Sequence, residues 1–147
     1  MNTPSSSTLP ALLADTTRAG VRPLPIGSAD RLLAAATQLG YCARSIDLGA
    51  CADKAALLQR MADALSFPQW FGHNWDALAD CLGDLSWVPA PGYVLLLRHA
   101  ADLRNRQADD FGIALDILRE ASQAWAEQKV PFWAFLDLAA PGDGTGL

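Results

Sequence analysis

The chain has 147 residues, 51% of them apolar, and a formal net charge of −5. That length and apolar content suit one domain with its own hydrophobic core and exclude a disordered chain. No apolar run reaches the roughly 18 residues of a membrane span, and no basic patch offers itself to nucleic acid, so neither partner is expected.

In chain order, Met1 to Thr8 is Ser/Thr-rich and uncharged, and Leu9 to Ala14 is too short and too weakly flanked for a secretory signal. Residues 1–20 are therefore expected to be a flexible lead, and the protein is expected to be cytoplasmic. Residues 21–138 are expected to form the single domain. Its first element, Val21-Arg22-Pro23-Leu24-Pro25-Ile26, is a weak strand that two prolines limit to an edge. Ser28 can cap a helix over Ala29–Gln38, with Leu32, Leu33 and Leu39 apolar and Gly40 as its stop. Tyr41 to Leu48 alternates like a strand. Asp53 opens a second helix whose stripe is Leu57, Leu58, Met61, Ala62 and Leu65.

After Pro68 and Gly72, Asn74 is placed to cap a third helix, since its side-chain oxygen can accept from the free N–H groups of the first turn. That helix puts Trp75, Leu78 and Leu82 on one face and Asp76 and Asp80 on another, and Gly83 ends it. Two like charges four residues apart cost a helix about 0.2–0.5 kcal/mol. Asp76 recovers part of this near the positive helix N-terminus; Asp80 recovers less. Tyr93-Val94-Leu95-Leu96-Leu97 is a continuous apolar run that suits a strand buried on both faces. Asp109 or Asp110 can cap a long helix with Phe111, Ala114, Leu115, Leu118, Ala121 and Trp125 on one side. Pro131 to Leu138 reads as a last buried strand, and 139–147 as a loose tail. Strands alternating with helices imply a parallel sheet of α/β type.

Charge is unevenly placed. Between Arg60 and Arg98 there is no Lys or Arg, while Asp63, Asp76, Asp80 and Asp84 fall in that interval. A surface built there attracts a basic protein and repels nucleic acid. Cys42, Cys51 and Cys81 form no CxxC pair, and wide spacing with an odd count fits neither a disulfide framework nor a zinc site. The histidines are His73 and His99. A small hydrolase would have to pair His73 with Asp76 or Asp80. No nucleophile matches them, because Ser66 and Ser86 lack an elbow motif and Cys81 has no base near it in sequence. P-loop, GxGxxG and HExxH patterns are missing too. The expectation is a protein that is not an enzyme, with no catalytic residue, no cofactor and no metal.

The stretch Phe67-Pro68-Gln69-Trp70-Phe71-Gly72-His73-Asn74-Trp75-Asp76-Ala77-Leu78-Ala79-Asp80-Cys81-Leu82 resembles the barstar-like family of ribonuclease inhibitors. The family pattern is Pro, one residue, an aromatic pair, Gly, one residue, Asn, an apolar residue, Asp-Ala-Leu, one residue, and Asp-Cys-Leu. Every fixed element stands here in order. The resemblance implies a small parallel sheet of three to four strands flanked by helices, with this chain carrying an extra N-terminal segment. It further implies a cytoplasmic monomer that forms a 1:1 complex with a basic secreted ribonuclease or ribonuclease toxin of the barnase kind, protecting a bacterial cell as an immunity protein or antitoxin does.

Carried over position by position, the two motif aspartates match Asp76 and Asp80, with Asp80 as the main anchor. Asn74 and Gly72 match the motif Asn and Gly. Trp70 matches the first aromatic of the pair, where the family's namesake carries Tyr. Trp87 matches a Trp in the loop after the motif helix, although Val88 is here followed by Pro89 rather than an acidic residue. Arg119-Glu120-Ala121 matches an Arg-Glu-Ala string that contributes a contact Glu, which makes Glu120 a further candidate. His73 replaces an acidic residue and Ala79 a Trp, and both changes bear on which nuclease is recognised. A regulatory protein–protein module on the same fold, with no nuclease involved, is the alternative reading.

Overall fold

The computed structural model describes residues 5–51 and 53–139. Two strands at its centre, β3 (Tyr93–Arg98) and β4 (Phe132–Leu136), are built from large apolar residues that alternate between the two sides of a sheet. Tyr93, Leu95, Leu97, Phe132, Ala134 and Leu136 join one buried cluster. Val94, Leu96, Trp133 and Phe135 join the other. A strand buried on both faces needs helices on both, and the chain provides them.

The sheet has four parallel strands in the order β1-β4-β3-β2, with β1 at Val21–Pro23 and β2 at Cys42–Asp47. Pairing runs Val21 to Ala134, Tyr93 to Phe132 and Cys42 to Tyr93. The proline-bearing strand is indeed an edge. On one side lie α3 (Lys54–Leu65), α4 (Trp75–Asp84), α5 (Ala100–Arg106) and α6 (Ala108–Glu127). On the other lie α1 (Ser5–Leu13) and α2 (Ala29–Gln38). The α/β class and the parallel sheet flanked by helices agree with expectation.

Local expectations fare unevenly. Asp53 caps α3, accepting from the Ala56 amide at 2.9 Å. Ser28 precedes α2 but does not cap it; its hydroxyl donates to the Pro25 carbonyl at 2.6 Å. Gly83 does not end α4. Leu85 does, in the left-handed region at φ 50°, with its amide on the Cys81 carbonyl. Burial of the Leu85 side chain (1% exposed) holds a backbone conformation that a free leucine avoids. Asp109 and Asp110 lie in the first turn of α6 rather than at its cap, which is Gln107, and α5 was not foreseen.

The expected flexible lead over 1–20 is corrected for its described part. Residues 5–13 form α1, Leu13 is fully buried, and Leu9 and Leu12 pack partly against the same cluster. The Trp133 indole donates to the Leu13 carbonyl at 2.9 Å from 120 residues away. The second face of the sheet needs a cover, and this segment is part of it. The expected loose tail falls, from residue 140 on, outside the described residues.

Candidate functional site

The site begins where α3 stops. Ser66 turns into the left-handed region at φ 55°, and the Phe67 amide returns to the Ala62 carbonyl. The next residues split an aromatic pair between core and solvent. Phe71 is buried and meets Phe67 edge-on, with centroids 4.9 Å apart. Trp70 is 62% exposed. It stands perpendicular to Trp87 at 6.2 Å, and the Trp87 indole donates to the Leu65 carbonyl at 2.9 Å. The loop tryptophan is thereby pinned to the end of α3 and backs the exposed Trp70 ring.

Gly72, His73 and Asn74 set the angle at which α4 leaves this platform. Asn74 Oδ1 accepts from the Ala77 amide at 2.7 Å, the expected cap. A Cβ on Gly72 would lie 3.3 Å from the Asn74 amide nitrogen and 3.7 Å from the Ala77 Cβ, so a side chain there crowds the cap. His73 takes a positive φ of 54°. Its Nε2 is 3.0 Å from the Gln59 side-chain oxygen, and Gln59 in turn donates to Asp63 at 2.7 Å. His73 is thus tied to α3. Among the described residues no hydrogen bond or ion pair joins it to Asp76 or Asp80, as a His–carboxylate catalytic pair would require.

On α4, Leu78, Cys81 and Leu82 are buried, and the exposed residues are Asp76, Asp80, Gly83 and Asp84. Their spacing of four, three and one makes a single stripe along the outer face. No ion pair engages these three aspartates among the described residues. At the far end the Trp125 indole donates to the Leu82 carbonyl at 2.8 Å, fastening α4 to α6. Glu120 is exposed on that same α6, one residue before the buried Ala121. The helix is therefore held at both ends before any partner arrives.

Sequence reasoning missed Lys54, Gln59 and Asp63 as neighbours of the motif. Lys54 Nζ lies 5.3 Å from the centre of the Trp75 ring, so a cation stands beside a segment that carries none of its own. Only the approach of α3 to the start of α4 makes this visible. Cys51 and Cys81 are buried, Cys42 is half-buried, and burial raises the pKa of all three thiols. That environment suits packing rather than reactivity. No helix among the described residues is long and apolar enough to cross a membrane.

Comparison with family models matches Barstar, described as barnase inhibitor, over residues 41–137. The match runs from β2 to the end of β4 and includes the capped acidic helix, its aromatic platform and α6. The chain belongs to the barstar family. No curated protein matches the chain. The segment that carries α1, β1 and α2 lies before the matched region.

Proposed function

We propose that this protein inhibits a basic ribonuclease of the barnase kind by placing α4 in the enzyme's active site. The supporting observation is the stripe of Asp76, Asp80 and Asp84, exposed and without cationic partners among the described residues, on a helix fixed by the Asn74 cap. A nuclease that grips RNA phosphates presents Arg, Lys and His. Carboxylates on a rigid helix can stand where those phosphates would stand and form charge-assisted bonds with the same groups. Asp80 is the main anchor and Asp76 the second. Trp70 packs on the enzyme rim with Trp87 behind it, and Glu120 adds an outer contact. Gly72, His73 and Asn74 shape the loop that meets the enzyme. Rigidity matters because a helix backbone already ordered in the free protein loses less freedom on binding.

The complex is 1:1, and the inhibitor acts in the cytoplasm as the immunity protein of a toxin-type nuclease. His73, Ala79 and Pro89 differ from the namesake's residues, which favours a cognate enzyme related to barnase over barnase itself. The test is titration of the purified protein against barnase and a panel of bacterial ribonucleases, with Asp80→Ala alongside. Inhibition that Asp80→Ala abolishes supports the plug. Inhibition that Asp80→Ala leaves intact removes α4 as the site. If no nuclease is inhibited, the regulatory-contact reading gains the weight and a pull-down follows.

A further inference from the structure

A concave feature lies away from the acidic helix, at the carboxyl ends of the strands. A cleft of about 660 Å³ opens there, and its apolar wall is Leu24, Pro25, Ile26 and Leu138. The volume falls in the range of small-molecule sites. The topology explains why it opens. The chain leaves β1 toward α2 on one face of the sheet and leaves β3 toward α5 on the other, with β4 between them. Connections that part to opposite faces leave a crevice outside the strand ends, where ligands of open α/β sheets bind.

Three charged residues line it: Arg98 at the end of β3, Asp137 just after β4, and Asp30 in the first turn of α2. Asp137 is already engaged, accepting from the amides of His99 and Ala139 at 3.3 Å each. Arg98 is not. Among the described residues no hydrogen bond or ion pair engages its side chain, and its Nε is withdrawn from solvent without an acceptor. Its two terminal nitrogens keep solvent access and also lack acceptors among the described residues, so they, rather than Nε, are the donors a ligand can reach.

We propose that this cleft binds a small carboxylate with an apolar body, the carboxylate taken by the Arg98 guanidinium and the body lying on Leu24, Pro25, Ile26 and Leu138. A carboxylate accepts two parallel N–H bonds from one guanidinium. A single negative charge fits better than the doubly charged phosphate, because one arginine faces two aspartates here. Two sources share this chemistry: a short organic acid, or an aliphatic amino acid whose ammonium meets Asp30.

The test is a protein-observed NMR titration of the full chain with 4-methylpentanoate, with leucine, and with 4-methylpentan-1-ol as the control that lacks the carboxylate. The expected result is saturable shifts at the Gly27, Leu138 and Ala139 amides with the acids and none with the alcohol. Arg98→Gln is expected to weaken binding about tenfold or more, the scale of a lost charge-assisted bond. Tighter binding of leucine assigns the amino acid, and tighter binding of 4-methylpentanoate the organic acid. If Arg98→Gln fails to fold, Ile26→Glu serves instead. Ile26 is 95% exposed, so the fold tolerates the change while a new negative charge at the wall repels a carboxylate. Equal response to acid and alcohol, absence of saturation with either acid, or full binding by the folded variants would overturn the proposal.

Discussion

The two faces of the sheet are built with the same device and put to different use. On each, a tryptophan indole donates to the carbonyl of a distant helix: Trp125 to Leu82 on the α4 side, and Trp133 to Leu13 on the α1 side. Each bond satisfies a helix-terminal acceptor that would otherwise stay open, and each ties the end of the helix to a distant part of the chain. The difference lies in the outer surfaces. The α4 side faces solvent with a stripe of aspartates and an exposed Trp70. The α1 side closes over Trp133, Phe135, Val94 and Leu96 and belongs to the segment before the family match. One cover carries the candidate interface, while the other completes the core. The comparison teaches that helix placement can be solved identically on both sides while the outer surface is free to differ.

The sharpest way to break that contrast is to delete residues 1–20. If α1 is structural cover, stability falls by several kcal/mol, since full burial of Leu13 alone contributes about 1.5–3 kcal/mol. Chemical denaturation of the shortened chain measures this, and an unchanged midpoint would return the segment to the status of a dispensable lead. Asp80→Ala attacks the other face. Its expected effect is confined to binding, a loss of about 2 kcal/mol or more as for a hot-spot anchor, with thermal stability unchanged because the residue is exposed. Inhibition titration and a melting curve together read both halves of that statement.

Gly92→Ala tests the sheet between the faces. A Cβ there would lie 2.6 Å from the Tyr41 ring, and the overpacking is expected to cost about 1–3 kcal/mol. Equilibrium unfolding in urea would show it as a lower midpoint. Asn74→Ala removes the α4 cap at a cost of about 1 kcal/mol. It should also loosen the acidic stripe, which amide exchange at Ala77 reports directly; unchanged protection at Ala77 would mean the cap does not hold the helix start.

The smallest effect belongs to Asp47, at the end of β2. A hydrogen bond from the His99 ring (2.8 Å) and another from the Gly49 amide (2.8 Å) hold its pKa below the ordinary 3.8. A depressed carboxylate stabilises the fold fully above its unfolded value and loses that contribution as pH falls through the lowered one. Asp47→Asn should therefore lower stability slightly at neutral pH, where the contribution is present, and the two proteins should converge as pH falls below about 4. The group is exposed, so the change is small. A melting-temperature series from acid to neutral pH would contradict this if both proteins lost stability in parallel.

Much was legible in the chain itself because it depends on short-range chemistry. The Asn74 and Asp53 caps, the helical stripes of α3 and α6, the apolar runs of β3 and β4, and the edge position of a proline-bearing strand all follow from neighbours a few residues apart. The acidic motif and its aromatic pair were readable for the same reason. The rest needed residues far apart to meet. Leu13 could not be identified as core before Trp133 reached it, nor Lys54 as a neighbour of Trp75, nor His73 as a partner of Gln59. Leu85 ends α4 in place of Gly83 because burial overrode intrinsic backbone preference. Sequence by itself determined which residues are apolar, charged or helix-capping, because those properties are local. Tertiary structure alone decided which surfaces stay open, because exposure depends on what the rest of the chain brings against them.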